Sequence, residues 1–282
     1  MGFIYLRTKI TCCFLGAVAI CALPSSSLAE GWLQAKGETL AIYDVSHFTT
    51  NDFHDENGDR VELNGRFTKI SAQSYIEHGF RDWVTLIAVA EVSRSRQTSA
   101  LNIGEFDVQS LGLDVGARFP LTSFENGVLS SRVLLSLPEQ HSGNNAAADF
   151  REELDAEVGL EAGYNFPLWG RNHYVSGSVA YRRRGGVESN QWVLHAIAGL
   201  KVNDVLEILP ELDYQGKAQG SLANSQLQEI SGQNDFKQLR ASLSALWHLN
   251  DSYSLQVGGT APIYSRSTGA GLTGKVGLWH RF

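Results

Sequence analysis

Apolar and polar side chains alternate with a period of two along most of this chain. From Glu153 to Phe166 one parity holds Leu154, Ala156, Val158, Leu160, Ala162, Tyr164 and Phe166. The other holds Glu153, Asp155, Glu157, Gly159, Glu161, Gly163 and Asn165. Successive side chains of an extended strand point to opposite faces, so this segment predicts a strand with one apolar and one acidic face. The same alternation recurs over 192–201, 206–215, 238–247 and 253–261. The full pattern predicts twelve strands, over 38–48, 66–79, 83–95, 105–119, 127–137, 152–166, 172–184, 192–202, 205–215, 236–248, 253–264 and 271–282. Most exceed the ~5–6 residues of an ordinary globular strand and suit a tilted membrane crossing.

The connections alternate in length. Short ones fall at 80–82, 120–126, 167–171, 203–204 and 250–252; longer or more polar ones at 49–65, 96–104, 138–151, 185–191, 216–235 and 265–270. Short turns at one end and long loops at the other are the pattern of a transmembrane barrel. Aromatic residues gather beside the short turns: Phe80 and Trp83, Phe119 and Phe124, Phe166 and Trp169, Trp247 and Tyr253. An amphipathic ring favours the membrane interface. The chain ends Val276-Gly277-Leu278-Trp279-His280-Arg281-Phe282. An alternating strand closed by a terminal Phe resembles the assembly signal of bacterial outer-membrane proteins, which makes Phe282 the expected recognition residue. His280 stands where that group usually has an apolar or aromatic residue.

The first 29 residues read as a cleaved signal peptide. Arg7 and Lys9 precede an apolar run from Thr11 to Leu23, and Ser27-Leu28-Ala29 offers small residues for cleavage after Ala29. This run is shorter than the ~20 residues of a spanning helix. The remainder, 30–282, is expected to be a single barrel domain. Cys12, Cys13 and Cys21 all lie in the leader, so the domain offers no disulfide, thiol nucleophile or cysteine metal site. The whole chain carries a net charge of −7, and removing Arg7 and Lys9 makes it −9. A nucleic-acid partner is excluded on that balance.

These features predict an all-β fold: a transmembrane antiparallel up-and-down barrel of about twelve strands, with ten and fourteen as the alternative counts. A secreted soluble sandwich shows the same periodicity with its apolar face buried. Strand length, the turn–loop asymmetry, the missing cysteines and the terminal Phe favour the membrane barrel. Its polar parity then lines a lumen. Acidic lumen candidates are Glu77, Glu91, Glu153, Asp155, Glu157, Glu161, Glu207, Glu211 and Asp213; basic ones are Arg132, Arg182, Arg184, Lys201 and Arg240. Ion pairing is expected among the fifth, sixth and seventh strands. These charges form either a selectivity ladder, with Glu157 and Glu161 favouring cations, or a zipper that fills the barrel. The zipper is the slightly favoured reading.

Catalytic constellations are missing. None of the eight histidines has Ser two positions on, as barrel lipases require, and Asp52-Phe53-His54 supplies only half of an aspartyl-protease-like set. The acidic loop from Asn51 to Asp59 lacks the carboxylate spacing of a calcium loop and reads as a solvated turn. No catalytic residue, metal ligand or cofactor is therefore assigned. The polar loop 216–235 is either a constriction or a mobile surface segment.

Two segments carry a family resemblance. Trp32-Leu33-Gln34-Ala35-Lys36-Gly37 and Tyr75-Ile76-Glu77-His78-Gly79-Phe80-Arg81-Asp82-Trp83 resemble the XagA-like proteins, within the outer-membrane group labelled for the meta-pathway of phenol degradation. That group shows a Trp-x-Gln-x-x-Gly start and a Tyr-x-Glu-x-Gly-x-x-Asp-Trp hairpin. Here His78 replaces a residue that is commonly aromatic. The resemblance covers about residues 31–90 and carries no catalytic residues. It implies passive transport of small solutes, with aromatic or hydrophobic compounds as the class. The other reading is a non-conducting envelope barrel tied to exopolysaccharide assembly or surface interaction. Implied partners are outer-membrane lipid, periplasmic chaperones, the barrel-assembly machinery and the solute.

Overall fold

The structure, a computed structural model, describes residues 31–98, 106–144, 151, 153–185, 189–218 and 236–282. The expected leader and most of loop 216–235 lie outside these residues. The strands are β1 (Thr39–His54), β2 (Arg60–Arg81), β3 (Val84–Thr98), β4 (Phe106–Phe124), β5 (Gly127–Ser136), β6 (Gln140–Asn144), β7 (Asp155–Leu168), β8 (Arg171–Arg183), β9 (Gln191–Lys201), β10 (Leu206–Lys217), β11 (Lys237–His248), β12 (Tyr253–Arg266), β13 (Thr268–Gly269) and β14 (Leu272–Arg281). All pairings are antiparallel. β6 pairs with β4 beyond β5, and β13 pairs with β1 beyond β14, so each of these couples occupies one position. The result is a closed barrel of twelve positions, sealed where β1 pairs with β14 from Leu40↔Arg281 to Thr49↔Leu272.

Burial decides which face points inward. Along β7, Asp155, Glu157, Gly159, Glu161 and Gly163 are buried, while Ala156, Val158, Leu160, Ala162 and Tyr164 are exposed. Glu161 is 1% exposed and its outward neighbour Leu160 is 49% exposed. A water-soluble sandwich has the opposite arrangement. Leaving a Leu or Val side chain in water forfeits ~1.5–3 kcal/mol, and here such residues girdle the barrel. Val92, Val115, Val133, Val158, Val179 and Val257 are all exposed. Hydrocarbon is the solvent that suits this surface.

The ladders are longer than the alternation indicates. β1 and β2 continue through most of the expected loop 49–65 and leave only the tip Asp55–Asp59. The turn expected over 120–126 contracts to Glu125-Asn126, and β6 and β13 fall inside segments expected to be loop. In the hairpin arm exposed polar residues replace the apolar outward face, so the apolar signal ends while the backbone ladder does not. Inside this extension Phe53, Leu63, Phe67 and Val108 form a buried apolar cluster at the mouth, with Phe48 against it. At the tip, the Asp55 carboxylate accepts the N–H groups of Asn57 (2.8 Å) and Asp59 (2.9 Å). Desolvation pushes the pKa of Asp55 up, but these hydrogen bonds outweigh it and hold the group below the ordinary carboxylate range.

The opposite end is tightly turned. Trp169 (φ 51°) and Gly170 (φ 72°) form the two-residue β7–β8 hairpin, whose positive dihedrals match strand twist. Aromatic rings collect here: Trp83 stacks with Phe119 at 6.4 Å, and His280 lies between Tyr253 (4.4 Å) and Phe282 (4.6 Å). The imidazole at 280 thus takes the aromatic residue's place in the girdle. Phe282 is exposed, and its backbone closes the seam through Thr39 N–H to Phe282 O (2.7 Å) and Phe282 N–H to Thr39 O (3.1 Å).

Candidate functional site: the barrel lumen

The inward parity places a column of alternating charges across β2, β4, β5, β7 and β8. Tyr75 donates to Glu77 Oε1 at 2.5 Å, and Arg118 Nη1 lies 2.8 Å from the same oxygen. Arg118 also pairs with Glu161, whose other oxygen lies 2.8 Å from Arg132. Arg132 reaches Glu157 at 2.9 Å, and Arg182 meets the second oxygen of Glu157 at 2.8 Å. Asp155 accepts the N–H of Gly185 at 2.9 Å, with Arg184 3.7 Å away. The expected pairing of the fifth, sixth and seventh barrel strands is therefore present. The sequence reading omitted Arg118, which is 1% exposed and central to the column. Its parity was legible, because Leu111, Leu113, Val115 and Ala117 mark the lipid side of β4.

The segment preceding β1 enters the short-turn end of the lumen. Arg118 Nη1 donates to Trp32 O (3.0 Å), Gln34 N–H donates to Thr85 Oγ1 (2.9 Å), and Gln34 Nε2 donates to Glu77 Oε2 (2.7 Å). Gly37 N–H donates to Gly79 O at 2.7 Å. The Trp32 ring lies on Gly163, where a Cβ would stand 1.9 Å from Cζ3; a Cβ on Gly79 would stand 1.9 Å from Ala35 O. Two glycines thus form the seat, because any side chain would occupy it. The two segments that carry the family resemblance meet here.

Beside this plug, Leu40, Tyr174, Ile197, Leu209, Leu246 and Trp279 pack into an apolar cluster inside the barrel, with Trp32 and Ile42 against it. Ile197, Leu209 and Leu246 are the residues that break the polar parity, so their signal was present in the sequence. Plug and cluster together narrow the short-turn end. Glu207 lies on that side, 3.4 Å from His248, with Lys201 near it along a cavity of about 260 Å³.

Above the apolar cluster is a chamber of about 530 Å³ lined by Asp44, Glu91, His195, Glu211, Asp213, Arg240 and Lys275. Towards the loops it meets a second cavity of about 410 Å³, where Phe67, Val89 and Val108 face Arg182 and Arg184. Glu91 is held by Lys69 (2.9 Å) and Ser71 (3.0 Å), and Glu211 by Lys275 (3.3 Å). Among the described residues Asp44 and Arg240 make no ion pair, although Arg240 is in register with Asp213. Of the expected lumen residues, Glu77, Arg132, Asp155, Glu157, Glu161, Arg182 and Arg184 belong to the ion-pair wall. Glu91, Glu211, Asp213 and Arg240 face the chamber, and Glu207 stands apart. Glu153 is exposed and precedes β7, which starts at Asp155 rather than at 152. Glu157 and Glu161, expected to set selectivity, are neutralised by arginines; the less committed carboxylates are in the chamber.

Apolar exterior, charged interior and closed ladder together define a transmembrane β-barrel of the outer-membrane type. Among solved structures, the chain is similar to the COG4313 outer membrane channel from Pseudomonas putida F1, with TM-score 0.62 and 16% identity over 91% of this chain and 99% of that one. It is also similar to the translocator domain of autotransporter NalP from Neisseria meningitidis (TM-score 0.56, 14% identity, covering 89% and 90%). The NanC porin follows, with TM-score 0.52 and 6% identity over 85% and 98%. At these identities the likeness is one of fold. No protein-family model matches the chain, and no curated protein matches it.

Proposed function

We propose that this protein is a bacterial outer-membrane channel for passive passage of small solutes, closed at its short-turn end by its own N-terminal segment. The observation that carries this reading is a 530 Å³ chamber inside the barrel, together with a segment before β1, separate from the wall, that is held on Glu77 of the chamber lining and on Arg118. A separate segment can leave without breaking the barrel ladder. Fold likeness to a channel and a porin agrees with it. We further propose the XagA-like kinship, supported by the meeting of its two characteristic segments at Glu77 and Gly79. Delivery would use the leader, periplasmic chaperones and barrel-assembly machinery. The permeant class suggested by the kinship is aromatic or hydrophobic compounds, and the phenylalanine and valines facing arginines in the outer cavity suit an amphipathic solute.

The continuous ion-pair column favours a second reading, a non-conducting envelope barrel that works through its loops. Planar-bilayer recording separates the two. The refolded barrel and a form lacking residues 31–37 are compared, after a heat-modifiable gel shift shows that both have folded. The channel reading expects discrete conductance steps that become larger or more frequent without the plug. A folded, plug-free barrel that never conducts refutes it.

A further inference from the structure

We propose that the lumen carries a binding site for a divalent transition-metal ion, formed by His195 of β9 with Glu211 and Asp213 of β10. Backbone register builds the site: His195 is paired directly with Asp213, and Glu211 lies two residues away on the same inward face. One ligand atom from each of the three falls within 4.8 Å of the others. His195 Nε2 stands 3.9 Å from Glu211 Oε2 and 3.8 Å from Asp213 Oδ1. Both distances exceed hydrogen-bond length. Two ligands bound to one ion at ~2.1 Å in a tetrahedral arrangement stand roughly 3.4 Å apart. The two His195 contacts therefore lie within about half an ångström of a ligand spacing, and Glu211 and Asp213 lie within 4.8 Å of each other.

The surroundings fit as well. Glu211 divides its oxygens, with Oε1 towards Lys275 at 3.3 Å and Oε2 towards His195. Lys275 thus orients the carboxylate from behind and leaves one oxygen for the ion, the usual task of an outer-sphere partner. Asp213 is not claimed by Arg240, which makes no ion pair among the described residues. The site opens on the 530 Å³ chamber, which has room for water as the remaining ligands. Asp44 and Glu91 face the same space and add negative potential. One imidazole with two carboxylates suits zinc and its borderline neighbours better than calcium or magnesium, which prefer all-oxygen sets.

The test is zinc titration of the refolded barrel from residue 30 onward, which lacks the three leader cysteines, with bound metal counted by mass spectrometry. It does not depend on whether the barrel conducts. One zinc per barrel is expected. His195→Ala and Asp213→Asn should each weaken binding at least tenfold, Lys275→Met should weaken it by a smaller factor, and His248→Ala should leave it unchanged. Each variant is first checked for folding by gel shift, and Asp213→Asn keeps the side-chain shape if the histidine variant fails. No zinc bound by the parent barrel, or parental affinity in folded His195→Ala or Asp213→Asn, overturns the proposal.

Discussion

Replacing Gly163 with alanine places a methyl group where the Trp32 ring now lies. The new Cβ would stand 1.9 Å from Cζ3 and 2.2 Å from Cη2. That overlap is too deep for a small adjustment, so the ring must leave its seat. An indole seat is worth ~2–3 kcal/mol of apolar burial. The hydrogen bonds from Arg118, Gln34 and Gly37 add ~1 kcal/mol each. Ordering the seven residues 31–37 opposes this by ~1 kcal/mol each. The balance lies within a few kcal/mol of zero, so losing 2–3 kcal/mol shifts the seated-to-released ratio by roughly thirty- to a hundredfold. A reporter Leu33→Cys suits the assay, because all three native cysteines lie at or before residue 21. Thiol labelling from the short-turn side should accelerate in Gly163→Ala, and open probability in bilayers should rise with it. Unchanged labelling and unchanged open probability in a folded Gly163→Ala barrel would refute the reasoning.

Arg118→Met should destabilise the barrel by ~3–5 kcal/mol in urea unfolding, because it leaves buried carboxylates without their shared cation; adding Glu161→Gln should restore part of the loss. Leu160→Lys places a cation on the lipid face midway along β7 and should cost ~2–4 kcal/mol in the same assay, with little effect on the lumen. If the channel conducts, Asp213→Asn should reduce cation preference in reversal-potential measurements, whereas Glu157→Gln, already neutralised by Arg132 and Arg182, should act mainly through stability. Deleting Phe282 removes two backbone hydrogen bonds from the seam and should lower the yield of heat-modifiable folded barrel.

The alternation exposed nearly the whole barrel because lipid imposes it: a strand touching hydrocarbon on one side and charge on the other must alternate. Where lipid ends the rule lapses, which is why Asp52 to His54 and Arg60 to Glu62 read as loop yet pair with each other in the arm. Inside the lumen, parity identified which side chains face inward but not which meet. Glu157 is in register with Arg182 and diagonal to Arg132, so their meeting was predictable; the link from Glu161 through Arg118 to Glu77 spans four strand pairs and depends on side-chain reach. The plug was least legible. Trp32 and Gln34 precede the first strand, and nothing in their local pattern indicates that they fold back onto Gly163 and Glu77. By contrast, Ile197, Leu209 and Leu246 announced the apolar cluster by standing where polar residues were due.

The seam between β1 and β14 has a consequence for how the molecule is made. Every other full-length strand pairing joins neighbours in the chain, so each hairpin can form soon after its residues are available. Only the seam joins Leu40 to Arg281, nearly the full length of the domain. Bringing such distant ends together carries the largest loop-closure entropy of any pairing. Closure is therefore expected last, and the plug begins at the residue next to it. Until the seam forms, residues 31–38 border an open trough rather than a lumen, yet Glu77, Thr85, Arg118 and Gly163 already lie on one paired sheet from β2 to β7. The plug's seat would then be complete before the cylinder closes, and the finished barrel would never pass through an unplugged stage.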